Sequence, residues 1–110
     1  MDKLATLDAL SALSQETRLD VFRLLVQVGP EGLPAGEIGE RLNVRQNTMS
    51  ANLAVLARAR LIRGRREGRT IRYFADMDGF RGLLGYLLED CCGGRPELCQ
   101  PVFDTLACGC

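Results

Sequence analysis

Residues 42–73 read LNVRQNTMSANLAVLARARLIRGRREGRTIRY, and the order of apolar, small and cationic positions in them decides the fold. From Met49 the apolar residues Met49, Leu53 and Leu56 fall at i, i+4 and i+7, the repeat of one helical face. At about 100° per residue, Asn47, Ala51, Ala54 and Arg58 then occupy the opposite face. That outer face is small and polar, so it can come close to another surface. LIRGRREGRTIRYFA follows, two runs rich in Ile, Arg, Tyr and Phe around Glu67-Gly68, a pair suited to a hairpin turn. Arg65, Arg66 and Arg69 crowd its tip. A helix followed by a basic hairpin is the layout of a winged helix-turn-helix, a mainly α chain with a small β-hairpin.

The charge of this stretch points to a partner. Residues 41–72 carry nine arginines against one acid, Glu67, whereas the rest of the chain holds five basic groups and thirteen acids. The formal net charge of zero therefore hides a basic lobe on an acidic body. A solvated charged face would mix both signs to form local pairs. A concentrated lobe is instead the electrostatic footprint of a polyanion partner, here double-stranded DNA. Asn and Gln at a helix start can hydrogen-bond the edge of adenine, and Ala or Thr methyls can touch the thymine methyl. Arg45, Gln46, Asn47, Thr48, Ser50 and Ala51 are the candidate helix contacts. Arg65, Arg66 and Arg69 are the wing contacts, placed for phosphate or the minor groove.

Length and composition bound the rest. At 110 residues the chain is expected to form one domain, large enough for a core and small enough to gain from dimerisation. No apolar run approaches the roughly 18 residues of a membrane span. The N-terminal MDKLATLDAL lacks the charged and apolar regions of a secretory signal, so a cytoplasmic location is expected.

Residues 2–12 read as a short helix with Leu4, Leu7 and Leu10 at i, i+3 and i+6. Ser14 is placed to cap the next helix, SQETRLDVFRLLVQV, whose core face reads Leu19, Phe22, Leu25 and Val26 and which Gly29-Pro30 stops. Pro34 suits the first turn of AGEIGERL, which Ile38 and Leu42 anchor and the left-handed candidate Asn43 ends. A turn of three to four residues then leads into the helix bearing Met49, the spacing of a helix-turn-helix. Asp78 is placed to cap a last helix, GFRGLLGYLLEDCC, with Phe80, Leu83, Leu84, Leu87 and Leu88 on one face and Cys91 continuing it. Close helix approach or a weakly stable helix would account for its two internal glycines. RPELCQPVFDTLACGC reads as an irregular tail, dividing the chain into residues 1–92 and a cysteine-rich 93–110. The first and last helices carry apolar faces beyond what one small core needs. A homodimer is expected, its recognition helices entering successive major grooves of an inverted repeat.

These segments resemble the ArsR/SmtB family of small bacterial metal-responsive repressors. LSQETRLDVFRLL is similar to its second-helix signature, GEIGERLNVRQNTMSANLAVLARARLI to its helix-turn-helix and RGRREGRTIRYFA to its wing. The likeness covers roughly residues 4–90. It implies a winged-helix homodimer that represses an operon and leaves its operator when a toxic metal or metalloid binds. Three positions depart from the family's pattern: Arg45 stands where a Ser cap is usual, Asn52 where a His is common, and Arg60 where a Gly precedes the wing. The family's best-known metal sites use cysteines on the third helix, or carboxylates and histidines on the last. Residues 34–42 hold no cysteine and the chain has no histidine, so neither site carries over.

All five cysteines follow residue 90: Cys91, Cys92, Cys99, Cys108 and Cys110. A disulfide framework would spread cysteines through the fold it staples, so this cluster suggests a metal or redox site. Cys91-Cys92 and Cys99 resemble the C-terminal cluster of an arsenic-responsive subgroup. The chemistry agrees independently, because an all-thiolate set selects soft ions and trivalent As(III) or Sb(III) takes three thiolates. Cys108 and Cys110 are accessory candidates, and DNA binding itself needs no cofactor. Other readings stay open: a soft divalent metal such as Zn, Cd or Pb, with Cys108 or Cys110 as a fourth ligand, or oxidation joining Cys91 or Cys92 to a later cysteine. A thiol-dependent enzyme would want a C-x-x-C at a helix start, a histidine base or a phosphate-cradling loop, and the chain has none. A zinc-stapled module binding RNA or an acidic protein would not need the helix-turn-helix spacing.

Overall fold

The computed structural model describes residues 1–89 and 96–106. Helices α1 (Lys3–Leu13) and α2 (Glu16–Val28) lead through a single 3-10 turn, Gly29–Glu31, to strand β1 (Leu33–Pro34). Helices α3 (Ala35–Leu42) and α4 (Gln46–Arg58) follow, then strands β2 (Ile62–Glu67) and β3 (Thr70–Ala75), and helices α5 (Met77–Leu87) and α6 (Pro96–Leu106). The architecture is the expected winged helix-turn-helix, mainly α, but its sheet has three antiparallel strands in the order β1-β3-β2. β1 is only two residues long, too short for any alternation to announce it. Its pairing of Leu33 with Tyr73 and Pro34 with Arg72 ties the hairpin base to the start of α3.

The core lies where α4 crosses the other helices. Met49, Leu53 and Leu56 on α4 are buried together with Val21, Phe22 and Leu25 of α2, Ile38 of α3, and Leu61 and Ile62 at the hairpin base. Burying each such side chain contributes about 1.5–3 kcal/mol. α1 turns Thr6, Ala9 and Ala12 inward, and these small residues let it lie close against its neighbours. Its leucines face away, with Leu4 74%, Leu7 52% and Leu10 42% exposed.

Several boundaries differ from the sequence reading. Ser14 ends α1, and Gln15 caps α2, its Oε1 accepting from the Arg18 N–H at 2.8 Å. The Ser14 hydroxyl is already donated to the Ser11 carbonyl. On α2, Leu19 and Val26 point outward while Val21 takes their place in the core, because the buried stripe is centred on Val21 and Leu25. Pro34 sits one residue before α3 and serves as its N-cap position. Asp76, rather than Asp78, caps α5 by accepting from the Gly79 N–H at 3.0 Å, whereas Asp78 pairs with Arg81. α5 ends at Leu87, and the expectation that Cys91 continues its apolar stripe lies outside the described residues; Leu83 is buried, Phe80 packs on Phe22 at 5.2 Å between ring centroids, and Leu87 is exposed. The segment read as an irregular tail contains α6. Pro96 opens it at the first helical position, where a missing N–H does no harm. Pro101 lies inside it, and Thr105 donates its hydroxyl to the Pro101 carbonyl. The division at residues 92 and 93 falls outside the described residues.

The connection from α4 into β2 is the tightest point of the backbone. Arg60 adopts φ 63°, in the left-handed region, which explains why a glycine suits this position. A Cβ on Gly79 of α5 would run into the Arg60 carbonyl. Of the two internal glycines, a Cβ on Gly82 would meet Met1 at 3.6 Å, an ordinary contact, and one on Gly85 would meet nothing within 4 Å outside its helix, so among the described residues close approach explains Gly79 and neither of these two. Arg60→Gly is expected to stabilise the fold by up to about 1 kcal/mol, since a left-handed residue with a Cβ carries roughly that strain. Gly79→Ala should destabilise it by more than about 1 kcal/mol through overpacking. Urea unfolding midpoints at unchanged slope measure both.

Candidate nucleic-acid interface

The turn that aims α4 is built by one left-handed residue. Asn43 ends α3 with φ 55° and ψ 49°, as its amide side chain tolerates, and the Val44 N–H closes back on the Gly39 carbonyl at 2.9 Å. Arg45 occupies the N-cap of α4 and makes no side-chain capping bond, so the departure from a Ser cap is real. Asn47 compensates, its Oδ1 accepting from the Thr48 N–H at 2.8 Å. The first turn of α4 holds no acid, which leaves its partial positive charge uncompensated and available to an anion.

With Met49, Leu53 and Leu56 buried, α4 exposes Arg45, Asn47, Thr48, Ser50, Ala51, Ala54 and Arg58 on one side. Gln46 is exposed as well, but its Nε2 leans back toward the Ala35 carbonyl at 3.4 Å. The structure therefore brings the helix candidates onto one outer surface, with Gln46 at its edge.

The wing follows a strict register: Arg65 stands opposite Arg72, Arg66 opposite Ile71 and Glu67 opposite Thr70. This pairing moves the turn to Gly68-Arg69, one residue beyond the expected Glu67-Gly68. Gly68 has φ 63° and Arg69 does not share its sign, the pattern of a hairpin turn with glycine first. Two arginines facing each other across strands would repel. Glu67 prevents this by pairing with Arg65 at 2.9 Å and Arg72 at 3.0 Å. The Arg65 and then the Arg72 hydrogen bonds hold the Glu67 carboxyl below its ordinary pKa. Its ion pairs thus contribute above the unfolded carboxylate pKa and are lost only as pH falls through the lower folded value. Arg72 also donates to the Glu31 and Gly32 carbonyls at 3.1 and 3.3 Å, fastening the wing to the loop before β1. Arg63 and Arg65 lie over the Phe74 ring at 5.1 and 5.0 Å. Arg66 and Arg69 are exposed and make no ion pair among the described residues.

Sequence reasoning missed Arg72 as the wing's fastener and Arg18, which donates to Asn52 on α4 at 3.1 Å. Arg18 and Asn52 lie 34 residues apart, and no local pattern signals such a pair. Of the metal candidates, Cys99 falls within α6, while Cys91, Cys92, Cys108 and Cys110 lie outside the described residues. Among the described residues no group of three or more His, Cys, Asp or Glu is placed to hold a metal, and no helix is long and apolar enough to cross a membrane.

A helix presented on a bound turn beside a basic three-stranded wing defines a winged helix-turn-helix DNA-binding protein. Residues 13–65 match a family model described as a helix-turn-helix domain. The HTH-type transcriptional regulator YceK of Bacillus subtilis (strain 168), itself uncharacterized, is 37% identical over 78 residues, covering 71% of this chain and 77% of that protein. The structure of HlyU from Vibrio cholerae N16961 is 29% identical with a TM-score of 0.62, over 79% of this chain and 97% of that one. A homodimeric winged helix-turn-helix DNA-binding domain of Mb0332 from Mycobacterium bovis, a possible ArsR-family regulator, is 26% identical with a TM-score of 0.63, over 83% and 84% of the two chains. The chain belongs to the HTH-type transcriptional regulators and is a DNA-binding regulator rather than an enzyme; its winged-helix fold is similar to that of the possible ArsR-family regulator Mb0332.

Residues that position the duplex and residues that read it should separate experimentally. Arg69→Ala is expected to weaken binding to every duplex and flatten the salt dependence by about one unit for each phosphate it no longer neutralises. Glu67→Gln should tighten binding to every duplex, because Arg65 and Arg72 are freed of their competing carboxylate. Asn47→Ala should instead cost about 1–3 kcal/mol at particular base pairs. Fluorescence anisotropy on paired duplexes across a salt series measures all three.

Proposed function

We propose that the protein is a dimeric transcriptional repressor that leaves an inverted-repeat operator when As(III) or Sb(III) is held by Cys91, Cys92 and Cys99. The observation that carries the inducer is the composition of the donor set: five cysteines, all after residue 90, in a chain without histidine. Thiolates alone suit a soft, trivalent metalloid, and arsenous acid releases its hydroxyls as water when thiols replace them. Cys108 and Cys110 are left as accessory thiols. On this reading residues 1–92 bind DNA and dimerise, residues 93–110 carry most of the sensor, and the protein acts on DNA in the cytoplasm.

Dimerisation is supported by α1, whose outward Leu4, Leu7 and Leu10 are an apolar face left uncovered by the described residues, and by exposed Leu87 on α5. The similar Mb0332 domain is homodimeric. Two linked recognition helices bind an inverted repeat about one helical turn apart, so anything that alters their separation weakens binding at both half-sites. Cys91 and Cys92 follow α5 closely in the chain, which lets a ligand there act on the end of that helix. The coupling required is modest, about 1–3 kcal/mol or 5–150-fold in affinity.

Single Ser substitutions at Cys91, Cys92 or Cys99 are expected to keep DNA affinity and abolish release by As(III), because two thiolates leave the metalloid incompletely coordinated. Replacing Cys108 and Cys110 together should change little. Operator anisotropy against titrated As(III), under reducing conditions, decides between them. Release that survives loss of Cys91, Cys92 or Cys99 would place the sensor elsewhere, and release by Cd(II) or by oxidant alone would replace the metalloid with those inducers.

A further inference from the structure

Asn52 is the one buried polar side chain of α4, only 8% exposed in a helix whose other buried residues are apolar. Its Oδ1 accepts from Arg18 Nη1 at 3.1 Å. The same guanidinium donates its Nε–H to the Ala12 carbonyl at 2.8 Å. Ala12 lies in the last turn of α1, where carbonyls lack partners within their own helix and a cation is electrostatically favoured. One planar group on α2 thus bridges the end of α1 to the inner side of α4.

We infer that Arg18 is a positioning residue for sequence reading, fixing the rotation of α4 against α1 through its fork of hydrogen bonds to Ala12 and Asn52. The apolar seam of Met49, Leu53 and Leu56 holds α4 down, but hydrophobic burial is non-directional and resists small rotations weakly. Two charge-assisted bonds from a rigid guanidinium do set a direction. Asn52 directly follows the outward Ser50 and Ala51, so a turn of the helix that breaks its bond moves those side chains. The phosphate-facing arginines of the wing lie on other elements and are not moved with it. The coupling runs both ways: displacement of α1 pulls on α4 through the same group. This inference rests on the DNA-binding reading and is independent of which inducer the cysteines take.

The full-length protein is first used to select a duplex from a random-sequence pool. Affinity is then measured on the selected duplex and on a scrambled one. Arg18→Met and Asn52→Ala are each expected to lower the preference for the selected duplex about tenfold, the scale of one charge-assisted hydrogen bond, while affinity for the scrambled duplex stays within about twofold. The double variant should lose no more than the worse single, since both remove one interaction. Asn52→Asp keeps the acceptor oxygen and should keep the preference, whereas Arg18→Lys, with one head in place of a fork, should not restore it. If Arg18→Met fails to fold, the Asn52→Ala and Asn52→Asp pair decides, because both leave Arg18 bonded to α1. An unchanged preference with a lowered unfolding midpoint would reduce Arg18 to a packing role and overturn the inference. So would equal losses in Asn52→Ala and Asn52→Asp, or losses that add in the double variant. A wild-type protein that enriches no sequence at all would refute sequence reading itself.

Discussion

Everything the molecule presents to DNA depends on the burial of Met49, Leu53 and Leu56 against α2, α3 and the base of the wing. These side chains occupy one stripe of α4, so the helix is held from one side only. The stability of a small domain is about 5–15 kcal/mol, and truncating one such residue to alanine removes about 2–5. That asymmetry leaves the other side of α4, apart from the Asn47 bond to the Thr48 N–H, free of structural duty. Asn47, Thr48, Ser50, Ala51 and Ala54 can therefore be small and polar without weakening the fold.

A second constraint is the density of positive charge. Nine arginines within residues 41–72 repel one another, and the structure relieves this without neutralising the lobe. Glu67 stands between Arg65 and Arg72, Phe74 accepts Arg63 and Arg65 over its ring, and the Glu31 and Gly32 carbonyls take a further donor from Arg72. Arg63, Arg65 and Arg72 are thereby used for shape. Arg66 and Arg69, toward the tip, keep their guanidinium groups for a polyanion. The single acid in the lobe is a structural part of the wing, placed where like charges would otherwise meet.

The two halves of the interface are joined where the backbone is most restricted. Arg60 is left-handed between α4 and β2, and Gly79 allows α5 to press against its carbonyl. On the far side, Arg18 connects α1 to α4. Recognition helix, wing and the helices bearing outward leucines are thus linked by short contacts rather than by loops. In such a frame a shift at α1 or α5 reaches α4 with little slack, which is what the proposed release by a ligand bound away from the DNA-binding surface requires.

The sequence by itself determined the architecture and the face of α4 that turns outward. Both follow from local spacing: the helical repeat of Met49, Leu53 and Leu56, the Asn43 turn, and alternating runs around a glycine turn. It also located the basic lobe and the cysteine cluster, because charge and residue type are read without coordinates. What it missed depends on partners distant in the chain. The two-residue β1 exists only because β3 lies beside it, and the turn at Gly68-Arg69 is set by the register of β2 on β3. Leu19 and Val26 looked like core on helical period alone, and only the packing of α2 against its neighbours turned them outward. Asn52 reads as a variant position along the chain, and its role appears only where Arg18, from another helix, reaches it. Propensity and period act along the chain, whereas register, rotation and hydrogen-bond partnership are settled between elements, and only the tertiary structure decided those.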